Sequence, residues 1–152
     1  GHVSPVQCVA CDVGLNNAAS GGWSTLKFWD LRVGKMAPGM KNKHAYHNGF
    51  NWLNLAGHTQ PVTCVSIDWA RKSCLSGSSD TTLCYWPPDV RTTSGIQFSR
   101  RSVNLRKHTL PVTCLAVDWS SMLAVSGAGD CLFVWDLKEG SALRSLQGPE
   151  ER

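Results

Sequence analysis

Residues 58–86 read HTQPVTCVSIDWARKSCLSGSSDTTLCYW, and residues 108–135 read HTLPVTCLAVDWSSMLAVSGAGDCLFVW. Laid over one another they share His, Thr, Pro-Val-Thr-Cys, Asp-Trp, Ser-Gly, Asp, Leu and Trp at nearly equal spacing. A weaker copy, HVSPVQCVACDVGLNNAASGGWSTLKFW, starts at His2. From each His an aspartate lies ten positions on, at Asp12, Asp68 and Asp118, and a Ser-Gly pair follows eight positions later, at Ser20, Ser76 and Ser126. The units close on Trp29, Trp86 and Trp135. Three repeats cover almost the whole chain, and a repeat unit buries its apolar surface only against its neighbours.

The pattern inside each unit is that of strands. Apolar and polar residues alternate in PVTCVSIDW, SCLSGS is a second short run and TTLCYW a third, with Gly, Ser, Asn and Asp at the joins. A fourth run precedes the next unit in WLNLAGH, SVNLRKH and LRSLQGP, which places Leu55, Leu105 and Leu146 at one phase. Four strands per unit are expected, with units at about 1–56, 57–106 and 107–148 of a single region spanning 1–152.

At 152 residues, 42% hydrophobic and 17% charged, the chain has the composition of one globular domain. It carries no apolar run near the ~20 residues that cross a bilayer, and GHVSPVQCVA lacks the features of a secretory signal. The net charge of +4 is scattered, so nucleic acid is not an expected partner. Seven cysteines are an odd number, and Cys8, Cys64 and Cys114 sit in apolar runs. They read as buried thiols of an intracellular protein in a reducing compartment, cytoplasmic by expectation. With no CxxC pair, no structural metal is expected.

Units that run Gly-His, two apolar strands, Ser-Gly, a turn Asp and a strand ending in Trp-Asp resemble WD repeats, the blades of β-propellers. The carriers are Gly1-His2 and Gly57-His58, the Ser-Gly pairs, Asp80 and Asp130, and Trp29-Asp30 and Trp135-Asp136. The resemblance implies an all-β fold of three four-stranded antiparallel blades, forming an open arc or part of a larger ring. It also implies a hydrogen-bonded tetrad per blade, mapping onto His58, Ser76, Asp80 and Trp86, and onto His108, Ser126, Asp130 and Trp135. Both sets are complete in residue type. Trp only donates, a carboxylate only accepts, and Ser and His do both, so such a chain of bonds closes with no group left over. The alternative, a Ser/His/Asp nucleophile site, requires one exposed serine on a strained elbow; no G-x-S-x-G occurs, and two copies at equal phase point to framework. No catalytic residue and no cofactor are expected.

The departures carry the individuality. Ser24 stands in place of the first turn aspartate, which leaves the first unit as the least stable by expectation, and SGSSDTTLCYW is one residue longer than its counterparts. Pro87-Pro88 follow Trp86 and end that strand. Long connections at 34–51 and 87–101 are where individual function is expected. His44 and His47 in the first are too few for a metal site. Its aromatics Tyr46, Phe50 and Trp52 are candidate partner anchors, as is Trp23 in the turn before Ser24, with Ser79 at the equivalent place. Trp69 and Trp119, at one phase in two units, read as packing residues.

Propellers close with typically four to eight blades, so three leave two blade faces open. The missing blades could come from the parent chain, a second copy meeting head to tail, or another subunit. The functional expectation is a protein-protein interaction scaffold that is not an enzyme, part of a larger propeller or complex. A purely structural subunit of a large assembly is the alternative, and a ligand-binding or hydrolytic propeller a remote third.

Overall fold

A computed structural model of the chain describes residues 2–31, 50–90 and 97–148, with residues 50–52 described by backbone alone. The first sheet comprises β1 (Cys8–Asp12), β2 (Asn17–Gly21), β3 (Thr25–Asp30) and β4 (Phe50–Ala56). The second comprises β5 (Val62–Asp68), β6 (Ser73–Ser78), β7 (Thr82–Trp86) and β10 (Val103–Arg106). The third comprises β11 (Cys114–Asp118), β12 (Leu123–Ala128), β13 (Cys131–Asp136) and β14 (Ser141–Gln147). All pairings are antiparallel between chain neighbours, apart from a short ribbon of β8 (Pro88–Asp89) and β9 (Gln97–Phe98) inserted between β7 and β10. The described residues include no helix, and so none long and apolar enough to cross a membrane.

The repeated aspartates at the ends of the first strands have a local task. Asp12 accepts the Leu15 N–H at 3.0 Å, Asp68 those of Ala70 and Arg71, and Asp118 that of Ser120. Each carboxylate thereby caps the turn of its first hairpin, where Asn16, Lys72 and Met122 take the left-handed backbone conformation that such a turn needs.

Successive sheets pack face to face, and the second is covered on both sides. Cys74, Cys84 and Trp86 point into a core shared with Ala19, Leu26, Phe28 and Leu55 of the first sheet. Leu75, Leu83 and Tyr85 point into a second core with Ala124 and Trp135 of the third. The period-two geometry of a strand sends adjacent residues to opposite faces, which explains why every residue of β7 is buried.

Each joint has the same latch at its inner edge. Val62 N–H donates to the Gly22 carbonyl of the preceding sheet at 2.9 Å, and Val112 N–H donates to Ser78 at 3.0 Å. The valine side chains lie over glycines. A Cβ on Gly21 would come within 2.9 Å of Val62 Cγ1, and one on Gly77 within 2.6 Å of Val112 Cγ1, so the Ser-Gly glycine is what admits the neighbouring sheet. Thr63 Oγ1 also donates to the Val112 carbonyl. Farther out, Trp119 Nε1 donates to Ser66 Oγ at 3.1 Å, and Trp69 packs in the first joint, so both repeated tryptophans bridge neighbouring sheets.

The second long connection behaves differently from its sequence reading. Residues 91–96 lie outside the described residues, but the ribbon on either side folds back and carries Phe98 into the first joint, 4.8 Å from Phe28 and 6.0 Å from Trp69 between ring centroids. Lys72 Nζ lies 5.7 Å from the Phe98 ring centroid. Three aromatic rings from two sheets and an insertion make a cluster that ties the ribbon into the core. Phe98→Ala should therefore lose about 3 kcal/mol in a urea unfolding titration, as a buried aromatic does, whereas a ribbon used only for partner contact would lose almost nothing.

Candidate functional site

The candidate site residues lie where each sheet meets the turn after its second strand. In the second sheet His58 Nε2 stands 2.8 Å from Ser76 Oγ, and Nδ1 stands 3.0 Å from Asp80 Oδ2. The carboxylate accepts a hydrogen bond from Nδ1–H, which leaves Nε2 to accept from the serine hydroxyl. In the third sheet His108 Nε2 stands 2.7 Å from Ser126 Oγ, which accepts the Trp135 indole N–H at 2.8 Å. The first sheet repeats this with His2, Ser20 and Trp29 at 2.7 and 2.8 Å.

The four-member chain expected of each complete set closes in neither. Asp130 is exposed and makes no bond to His108, and Trp86 Nε1 is buried with no hydrogen-bond partner. The turn explains the aspartate. Between β6 and β7 three residues intervene, with Thr81 in the left-handed conformation (φ 71), and this swings Asp80 back over His58. Between β12 and β13 only Gly129 and Asp130 intervene, and the carboxylate stays outside. Strand register is the same in all three sheets, the tryptophan lying two residues beyond the partner of the serine, so the extra residue of the second unit is absorbed wholly by the turn.

Asp80 does more than orient an imidazole. It also accepts the Thr59 N–H at 2.9 Å, the Thr82 N–H at 2.9 Å and the Thr82 hydroxyl at 2.6 Å. Burial alone would raise its carboxyl, but these bonds outweigh burial and hold it below its ordinary value. Burial pushes the imidazoles of His2, His58 and His108 below 6.5, and at His58 it outweighs the pull of Asp80. The His58–Asp80 contact is thus a hydrogen bond from a neutral imidazole at neutral pH.

Neither serine is placed for nucleophilic work: Ser76 is 0% and Ser126 1% exposed, and their hydroxyls are engaged by histidine. The cysteines are free thiols, and burial raises Cys8 to about 11 and Cys84 to about 12, so those two stay protonated at neutral pH. Among the described residues no three His, Cys, Asp or Glu side chains gather as a metal-binding group.

Of the candidate partner-binding residues, Trp23 is 57% exposed, with its backbone N–H bonded to Ser4 Oγ at 3.0 Å. Ser79 is half-buried at the equivalent turn, with its N–H bonded to the Pro61 carbonyl. Each turn therefore leans on the segment just after the histidine of its own sheet, which puts Trp23 on one edge with exposed Val3 and, from the third sheet, exposed Leu110. Leu110 carried no repeat signal, because Gln60 and Ser4 occupy its place in the other units. Tyr46 lies outside the described residues; Phe50 and Trp52 lie in β4, where only the backbone is described.

Two stretches, residues 51–87 and 99–136, match the family model described as WD domain, G-beta repeat. This chain belongs to the WD-repeat family. No curated protein matches it. Each matched stretch holds the fourth strand of one sheet and the first three strands of the next, β4 to β7 in one case and β10 to β13 in the other. A WD repeat is thus covalently stitched across a joint, and the two matches span the two joints described above. Repeats of this family build protein-interaction scaffolds, generally without catalysis.

Two measurements probe the tetrads. Trp135→Phe strands the Ser126 acceptor whereas Trp86→Phe removes a donor that has no partner, so the first should cost about 1 kcal/mol more than the second in chemical denaturation. The unfolded imidazoles take up protons as pH falls through 6.5 while the buried ones resist, so stability should be greatest above pH 6.5 and decline below it, by at most about 1.4 kcal/mol per pH unit for each of His58 and His108. Asp80, held low when folded, adds a loss of the same sign below its unfolded value of 3.8. Thermal unfolding followed from pH 8 to about pH 2 checks both the histidine and the Asp80 contributions.

Proposed function

We propose that this WD-repeat region is a protein-protein interaction scaffold without catalysis, which engages a partner through the edge that carries Trp23. The observation behind it is the exposure of that indole on a turn whose backbone is fixed to Ser4. A large ring with a polar tip, held on a rigid edge, is the residue type that dominates the energetics of protein interfaces. Val3, exposed next to Ser4, adds apolar surface in the segment on which that turn leans. The same edge holds the buried His-Ser pairs just beneath it, so the turns are anchored by bonds that are not available to a ligand.

The seven free thiols fit a reducing compartment, the cytoplasm among them. A purely structural subunit, held by its long loops, would show one constant neighbour set. The proteins retained by the immobilised chain and by its Trp23→Ala variant, compared by quantitative mass spectrometry, test the proposal: a set depleted at least tenfold by the substitution is expected. Identical sets at equal intensity would remove Trp23 and its edge from the function.

A further inference from the structure

The two internal joints share one geometry, and the chain carries the unpaired halves of a third. In both, one sheet presents the face that bears the Ser-Gly glycine and a leucine pair, and the next presents the face that bears the buried His and Ser. The leucine pairs Leu26–Leu55 and Leu83–Leu105 are directly opposed across strands and are all at most 2% exposed, because the following sheet covers them. The equivalent pair in the third sheet, Leu132–Leu146, is 41% and 48% exposed. Gly21 lies under Val62 and Gly77 under Val112, but Gly127 has only Cys114 and Leu132 of its own sheet nearby.

The first sheet holds the other half. Val62 and Val112 are fully buried; Val6, at the same place in the repeat, is 54% exposed. Val65 and Leu115, which sit opposite Ser76 and Ser126, pack into the joints; Val9, opposite Ser20, is 69% exposed. The open face of the third sheet is thus the face that the chain covers twice with its own sheets. The open face of the first is the kind of surface that does the covering.

We propose that these two faces dock on each other between two copies of this chain. Val6 of one copy seats over Gly127 of the other, its N–H meeting the Ala128 carbonyl as Val62 meets Gly22 and Val112 meets Ser78. Thr113 Oγ1, the counterpart of Thr63, faces the Val6 carbonyl. The contact is heterologous, each copy using a different face, and a two-fold axis repeats it once to close a ring of six sheets with no apolar face open. This surface is distinct from the Trp23 edge, so the pairing and the scaffold reading stand or fall separately.

The test is the mass of the 152-residue chain by sedimentation velocity, alone and as two single variants. Val6 and Leu132 are exposed in the single chain, so Val6→Asp and Leu132→Lys should fold. The unsubstituted chain should sediment as a species of twice its 16.6 kDa at micromolar concentration, and each variant as a monomer. An equimolar mixture of the variants should recover a dimer, since one joint between them is intact. That recovery separates a head-to-tail contact from one between two identical faces. A chain that stays at 16.6 kDa at every concentration, a dimer that survives both substitutions, or a mixture that stays monomeric would each overturn the proposal.

Discussion

A four-stranded sheet with apolar residues on both faces must be covered twice, and that requirement organises this molecule. In β7 the alternation is complete: Leu83 and Tyr85 serve one core, Cys84 and Trp86 the other. The middle strands of the second sheet, β6 and β7, are buried along their whole length, so that sheet needs a neighbour on each side. The cover is admitted by glycine, since any side chain at Gly21 or Gly77 would strike the valine of the next sheet. Hydrophobic burial supplies the drive, and the backbone bond from each of those valines fixes the register in which the sheets meet. Because each family match runs from the fourth strand of one sheet into the first three of the next, the covalent chain reinforces the same joint.

The polar groups that could suggest chemistry are spent on this framework. Ser, His and Asp stand within hydrogen-bonding distance in the second sheet, yet the serine is closed to solvent and the imidazole is neutral and bonded at both nitrogens. In a buried setting an unmet donor or acceptor is costly, so the network specifies the turn above each sheet. It also gives the turns a rigid base from which a side chain such as Trp23 can project. Binding on such a scaffold depends on what the turns display, while the sheets beneath remain interchangeable.

Much of this was legible in the residues. Equal spacing of His, Asp, Ser-Gly and Trp was enough to place the strands, the resemblance to WD repeats implied the pairing of His58 with Ser76 and of His108 with Ser126, and the recurrence of Trp69 and Trp119 at one phase marked them as packing residues. What escaped was set by geometry that a repeat alignment does not carry. Asp80 and Asp130 align as equivalents, but a turn shorter by one residue leaves the second carboxylate outside, and Trp86 ends without the acceptor that Trp29 and Trp135 have. Phe98 belongs to no repeat at all. Its place among Phe28 and Trp69 depends on how the chain after Pro87-Pro88 folds back, and proline signalled only the end of a strand.

The claim that joints rather than single sheets hold the structure is tested most directly by native-state hydrogen exchange at the amides of Val62 and Val112, whose only role is to cross from one sheet to the next. If the joints are integral, both amides exchange only through unfolding of the whole stack, with protection equal to that of the slowest amides in β6 and β7. Exchange of Val62 and Val112 at the rate of exposed amides, with β6 and β7 still protected, would show that the sheets stand independently and would contradict the account.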